Sequence, residues 1–275
     1  MASNSPNPSS IRIRAIKTCY ELQAIEELQL EVWECSEREV LPALALIPLI
    51  DIGGVLLGAF DQQELIGFVV GFPGIESGQL ILHSDMLAVR RSYRSAGVGY
   101  KLKLAQREAA LAKGIDRITW TFDPLQSANA HLNFARLGVT ADRYKIDYYG
   151  ETSSPLHRTG TDRLWVTWDL RSERVERRVA RGVETAPPVS EPTLVKVNSA
   201  DEPVMQSLDL ERLSLRIEIP DNMNDVVAAD ESRARRWREA TRAAFTSALA
   251  NGFVVVDFFR TNQGQPGSYL LSKTR

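Results

Sequence analysis

Residues 79–122 read QLILHSDMLAVRRSYRSAGVGYKLKLAQREAALAKGIDRITWTF, and this stretch decides the fold. Gln79 to Val89 has strand composition, Gly97 to Lys113 reads as a helix ended by Gly114, and Arg117 to Phe122 returns to a strand. Strand, helix and strand in that order imply a crossover between parallel neighbours. The junction, Arg90-Arg91-Ser92-Tyr93-Arg94-Ser95-Ala96-Gly97-Val98-Gly99, enters its helix through two glycines. Such a loop lets backbone N–H groups approach a phosphate with no Cβ in the way, and the helix dipole favours the negative charge. A blander account of the same residues is a tight turn with solvated arginines. A dinucleotide fingerprint would need a third glycine where Leu102 stands, and a Walker loop would need Gly-Lys-Ser/Thr, so both common nucleotide folds are disfavoured.

Outward from this core the pattern stays mixed. Ile11 to Ile16 alternates as a half-buried strand, and an amphipathic helix follows to about Trp33. Gly54 to Phe60 and Leu65 to Phe72 have hairpin spacing across Asp61 to Glu64. Beyond residue 122, a short helix from Asn129 to about Leu137 stops at Gly138, and Tyr144 to Tyr149 and Arg163 to Leu170 read as strands. Leu41 to Phe60 carries one charge, Asp51, over a length that could span a bilayer. Pro42, Pro48, the Gly53-Gly54 pair and that Asp argue against a spanning helix and for a buried loop followed by a strand.

After Leu170 a charged run, Arg171 to Arg181, leads into the Pro-rich Thr185 to Pro192, which reads as a linker. Strands are expected at Leu194 to Val197 and Leu213 to Ile219. A helix from about Asp230 to Ala250 should bury Trp237, Ala240, Thr241, Ala244, Phe245, Ala248 and Leu249, and Phe253 to Phe259 with Tyr269 to Ser272 form a closing hairpin. The expected organisation is a tail at 1–10, a catalytic domain at 11–170, a linker at 171–192 and a smaller α+β unit at 193–275. That unit's helix shows Arg233, Arg235, Arg236, Arg238 and Arg242, which suggests partner docking or, more commonly, a solvated face.

The 275 residues carry 33 Lys plus Arg against 35 Asp plus Glu, and the net charge of -2 offers no global field for nucleic acid or an anionic membrane. With 44% apolar and 25% charged residues the chain has the composition of a folded globular protein. Cys19 and Cys35 stand alone, which fits a reducing cytoplasm, and Met1 to Ser10 lacks the features of a signal peptide.

Arg94-Ser95-Ala96-Gly97-Val98-Gly99 resembles the acyl-CoA signature of the GCN5-related N-acetyltransferase (GNAT) superfamily, Arg/Gln-x-x-Gly-x-Gly/Ala at a strand-to-helix junction. The similarity extends in element order over roughly Ile11 to Leu170. Phe122 to Gly138 looks like the second cofactor region, with an Asn-led helix carrying Asn129 and Asn133, although Val139 stands where Phe often follows the glycine. Gly53 to Phe60, Gly160 to Arg163 and the C-terminal extension are similar to a bacterial branch of that superfamily. The resemblance implies an α/β fold with a mixed, mostly antiparallel sheet, a central parallel strand pair and flanking helices. It also implies acetyl-CoA or another acyl-CoA as acyl donor. Leu87, Ala88 and Val89 would pair with the pantetheine amides, and the amides from Arg94 through Ser95, Ala96, Gly97 and Val98 to Gly99 would hold the pyrophosphate. Arg90 and Arg91 could help with CoA phosphates or simply be solvated.

Attack of an amine on a thioester requires loss of a proton, stabilisation of an oxyanion and accommodation of the thiolate. His83 and Asp85, two apart on the signature strand, should share a side and are candidates for a proton relay. The family often places a Tyr acid next to the position of Phe134, and Ala135 stands there instead. Tyr144 and Tyr148 are substitutes on paper. His131 and His157 are weaker candidates, and no spacing argues for zinc. The leading expectation is a cytoplasmic acyl-CoA-dependent N-acyltransferase acting on a small-molecule amine, such as an amino acid or related metabolite, with no nucleic-acid or membrane partner and with room for a homodimer. The alternative is a non-catalytic acyl-CoA-binding regulatory module.

Overall fold

Thr18 opens the first helix with a capping box: its hydroxyl accepts from Glu21 N–H, and the Glu21 carboxylate accepts from Thr18 N–H. The hydrogen bond from Arg14 does most to bring the Glu21 carboxyl down to about 2. Local signals of this kind set the elements in the computed structural model, which describes residues 10–94, 96–183, 191–207, 210–260 and 264–273. The tail at 1–9, Ser95 of the signature and residues 184–190 of the Pro-rich segment lie outside the described residues.

In chain order the elements are β1 (Ile11–Ala15), α1 (Cys19–Trp33), α2 (Ala43–Asp51), β2 (Val55–Asp61), β3 (Glu64–Glu76), β4 (Gln79–Val89), α3 (Val98–Ala112) and β5 (Arg117–Phe122). There follow α4 (Ser127–Ala130), which continues as a π-helical turn over His131–Leu137, then β6 (Thr140–Lys145), β7 (Arg163–Asp169), α5 (Glu173–Arg181), β8 (Thr193–Val197) and β9 (Pro203–Met205). The rest are β10 (Ser214–Ile219), α6 (Met223–Ala229), α7 (Glu231–Ala250), β11 (Phe253–Phe259) and β12 (Gly267–Lys273). The result is a mixed α/β fold, mostly antiparallel, with parallel pairs β4/β5 and β8/β10.

The chain forms two compact units, Met1–Trp120 with Thr152–Arg158, and Thr121–Glu151 with Thr159–Arg275. In the first, the strand order is β1-β2-β3-β4-β5. Leu22, Ile25 and Leu28 of α1 and Leu46 and Leu49 of α2 pack with Phe60, Phe68, Val70 and Ala88, while Val98 and Leu102 of α3 pack with Ala59, Ile66 and Val69. Ser153 and Ser154 fasten the short segment to the end of α1 and the turn after it, through Ser153 N–H to Glu39 at 2.7 Å and Ser154 Oγ to the Trp33 carbonyl at 2.5 Å.

In the second unit the order is β7-β6-β11-β12-β10-β8-β9. Its core gathers on Tyr269, whose ring lies 5.7 Å from Phe134, 5.1 Å from Phe245 and 4.7 Å from Phe258, and whose hydroxyl donates to the Pro124 carbonyl at 2.6 Å. Of the stripe expected on α7, Trp237, Thr241, Ala244, Phe245 and Ala248 are buried at 1% exposure or less, while Ala240 and Leu249 are half-buried.

Four expectations need correction. Leu41 to Asp51 is helical over Ala43–Asp51 rather than a loop; Gln29 clamps the Leu41 backbone from both sides, and Glu26 accepts from Ala43 N–H, so α1 supplies the cap that Pro42 lacks. The strand expected at Tyr144 to Tyr149 runs instead over Thr140–Lys145, because Asp147 at φ 44° turns the chain. The short helix starts at Ser127, ahead of Asn129. The charged run after Leu170 forms α5, which buries Val175 and Arg178 and pairs Arg178 with Asp257 at 2.5 Å. The packing boundary falls at Trp120, and β6 pairs with β11 through Ala141↔Val255, so residues 193–275 complete the sheet that β6 and β7 begin.

Candidate functional site

Strand β4 meets β3 in antiparallel register at Phe72↔His83 and again at Val70↔Met86, so Gly71 opposes two residues, Ser84 and Asp85. This is a β-bulge, a device that bends a strand and re-aims its side chains. On its other edge β4 pairs in parallel with β5 through Leu82↔Ile118 and His83↔Thr119. The ladder covers those two residues, and beyond them the strands part at the level of the bulge. Leu87, Ala88 and Val89, the residues expected to pair with an extended ligand, lie past this fork.

The chain leaves β4 through a tight turn at Arg91–Tyr93, held by Tyr93 N–H to the Arg90 carbonyl and by the Arg94 guanidinium to the Val89 carbonyl at 3.3 Å. Gly97, at φ 73°, caps α3 in the left-handed region, and no side chain caps that end. Ala96 precedes this cap, and Val98 and Gly99 begin the helix with their N–H groups pointing out of its first turn. A Cβ on Gly99 would stand 3.5 Å from Leu87 and 3.9 Å from Val89, which is ordinary contact. The fold alone therefore does not require glycine at 99. Arg90 is engaged by Glu31 and Glu64, which removes it from phosphate binding, while Arg91 and Arg94 remain exposed.

His83 Nδ1 lies 3.0 Å from the Thr119 hydroxyl across the parallel ladder. Asp85 follows in the bulge, with its carboxyl raised by desolvation and partly lowered by the nearby His83 charge. A carboxylate made more basic in this way is a better proton acceptor near neutral pH. Thr119, Ser84, Lys103 and Gln106 join this region without having been expected there. The available signal was the pair of polar residues, Lys103 and Gln106, among the buried positions Val98, Leu102 and Ala110 of α3.

In the second unit, Asn129 is exposed on α4, and Asn133 is buried. The Tyr144 hydroxyl donates to Asp162 at 2.7 Å and its ring stacks on Phe245. Burial and the Asp162 charge drive its pKa far above the ordinary value, so Tyr144 holds its proton as a structural donor. Arg242 binds the same carboxylate at 2.7 Å and reaches Asp147, and Arg238 binds Asp123 with two bonds of 2.8 and 2.9 Å. These two arginines do not form a solvated face. Tyr148 lies in the turn after β6, 42% exposed, edge-on to Tyr149 and Trp165. His131 is held below its ordinary pKa by desolvation and by Arg260, Arg136 and Arg178; in the first unit, His157 Nδ1 lies 2.7 Å from the Thr152 hydroxyl. Among the described residues no cluster of His, Cys, Asp or Glu could hold a metal ion, and no helix is long and apolar enough to cross a membrane.

Residues 20–139 match the family model described as acetyltransferase (GNAT) family. Among solved structures it is similar to the ribosomal-protein-S18-alanine N-acetyltransferase from Escherichia coli, at 12% identity over 59% of this chain and 95% of that one, with a TM-score of 0.47. It is also similar to PaiA N-acetyltransferase from Thermoplasma acidophilum in complex with coenzyme A, at 19% identity over 58% and 99%, with a TM-score of 0.42. An acetyltransferase of the GNAT family from Streptococcus pneumoniae matches at 15% identity over 57% and 97%, with a TM-score of 0.46. A comparison with curated proteins gives no match.

Proposed function

We propose that the protein transfers an acyl group from a CoA thioester to the amine of a small molecule, such as an amino acid or related metabolite. The observation that carries this reading is a glycine-opened helix N-terminus directly after a strand that parts from its parallel neighbour, inside a segment that matches an acetyltransferase family. The amides around Gly97 to Gly99 suit a pyrophosphate. The edge of β4 from Leu87 to Val89 suits the amides of a pantetheine arm, which would lie beside it like an added strand. His83 and Asp85 serve as the relay that takes the proton from the acceptor amine, directly or through water. Asn129, exposed on its helix, is the better of the two asparagines for a cofactor contact; buried Asn133 is better suited to packing.

A non-catalytic acyl-CoA-binding module is the second reading, supported by Ala135 and by the commitment of the Tyr144 proton to Asp162. Calorimetry with acetyl-CoA and succinyl-CoA, followed by thiol release with a panel of amines, separates the two. Binding with thiol release dependent on an amine supports transfer, binding without release supports the module, and absence of binding overturns both.

A further inference from the structure

The proton relay leaves a buried lysine without a role. Lys103 and Gln106 of α3 are 3% and 0% exposed on a face that otherwise buries apolar residues. Lys103 Nζ donates to Ser84 Oγ at 2.7 Å and to Gln106 Oε1 at 3.3 Å, and it lies 3.7 Å from the centre of the Trp120 ring. Ser84 follows His83, where the ladder on β4 stops, and Trp120 follows Thr119, where it stops on β5. The ammonium therefore bridges the two strands in the fork itself. Its three protons meet two oxygens and a π face, and no carboxylate is among these partners. The Gln106 Nε2 group beside it is buried with no hydrogen-bond partner. A cation buried without a counter-ion is costly, and such groups concentrate at functional sites.

We propose that Lys103 receives the thiolate released from the acyl-CoA thioester, its ammonium pairing with the charge that builds on sulfur as the carbon–sulfur bond breaks. This rests on the acyl-CoA reading. An arm anchored at Gly97 to Gly99 and laid along β4 runs from Val89 back toward Ser84, roughly 17 Å of strand, and so carries its sulfur end to the fork. The acceptor nitrogen bonds to the thioester carbon, the tetrahedral species collapses, the electron pair of the broken bond stays on sulfur, and the Lys103 ammonium holds the resulting thiolate. The proton taken from the acceptor amine by the His83 and Asp85 relay reaches the sulfur by way of water as CoA leaves, so one proton moves overall from nitrogen to sulfur. Burial pushes the Lys103 pKa far below its ordinary value, and a thiolate beside the amine would favour its charged form again.

The test uses the full chain and CoA itself. Thiolate formation on bound CoA is followed by ultraviolet absorbance against pH, with affinity by calorimetry, in wild type, Lys103→Met and Lys103→Arg. In wild type the bound thiol should ionise at least about one pH unit below free CoA, a tenfold effect, and Lys103→Met should abolish that shift. Lys103→Arg should keep the shift, because the charge remains, while Lys103→Met should also lose turnover on the order of 100-fold. A bound thiol in wild type that ionises like free CoA overturns the proposal whether or not a variant folds. So does a folded Lys103→Met with unchanged thiol ionisation and turnover. Absence of CoA binding by wild type overturns the acyl-CoA reading, and this proposal with it.

Discussion

Gly97 and Gly99 look alike in the motif and differ in what the backbone asks of them. Gly97 sits at φ 73°, where any side chain is strained, so Gly97→Ala should destabilise the fold by about 1–2 kcal/mol in denaturant unfolding. Gly99 has ordinary room, so Gly99→Val should stay folded and lose acyl-CoA affinity by about tenfold or more in calorimetry, because its side chain occupies the space a phosphate needs. Unchanged affinity in the folded Gly99 variant would remove the anion cradle. On β4, His83→Ala with Asp85→Asn should lower turnover on the order of 100-fold with less effect on acyl-CoA binding. Because the Asp85 carboxyl is raised, the wild-type acidic limb should lie above the ordinary carboxylate range, and the double variant should move it. His83 and Asp85 were legible from their spacing. The bulge beside them was not, since an extra residue in one strand depends on the partner strand's register and leaves no local pattern.

Helices α2 and α7 show where element reading fails and where it holds. Pro48 and the Gly53-Gly54 pair read as breakers at Leu41 to Asp51, but Pro48 sits inside α2, and the helix survives because α1 braces its start through Gln29 and Glu26. A long-range brace has no sequence signature. The apolar stripe of α7 was legible from its period, while the destination of its arginines depended on carboxylates more than 75 residues away. Arg238→Met should leave Asp123 without its partner and cost about 3–5 kcal/mol, read from denaturant unfolding. Burial alone would raise the Asp123 carboxyl, and the charge and hydrogen bonds of Arg238 outweigh it, holding it below the ordinary value. The stabilisation from this pair is therefore present above the unfolded carboxylate range and lost as pH falls through the lower folded value. Wild type should lose stability on acidification more steeply than Arg238→Met; equal acid sensitivity would show the pair to be unimportant.

At the scale of the molecule, the succession of strands from β1 to β7 was legible because each strand carries its own period, whereas α2 between β1 and β2 was not, and neither was the division into units. Composition places a boundary at the Pro-rich segment, whereas side-chain packing places it at Trp120, since Tyr144 stacks on Phe245 and Phe134 meets Tyr269. A fragment ending at Leu170 should consequently expose Phe134, Ala141 and Tyr144, bind a hydrophobic dye and aggregate; a soluble, monomeric and fully active fragment would show residues 171–275 to be dispensable.

The placement of β12 between β11 and β10 has a consequence for how the protein is made. Synthesis runs from the N-terminus and domains tend to fold as their residues emerge. The second sheet has no bridge from β11 to β10 until Gly267–Lys273 has been translated, so β6, β7, β8 and β10 must wait on the ribosome with unsatisfied edges. The first unit waits less, only until Arg158, when Ser153 and Ser154 reach Glu39 and Trp33. The nascent chain thus completes its first unit early and spends the longer interval with an open second sheet, the stage at which a chaperone has most to shield.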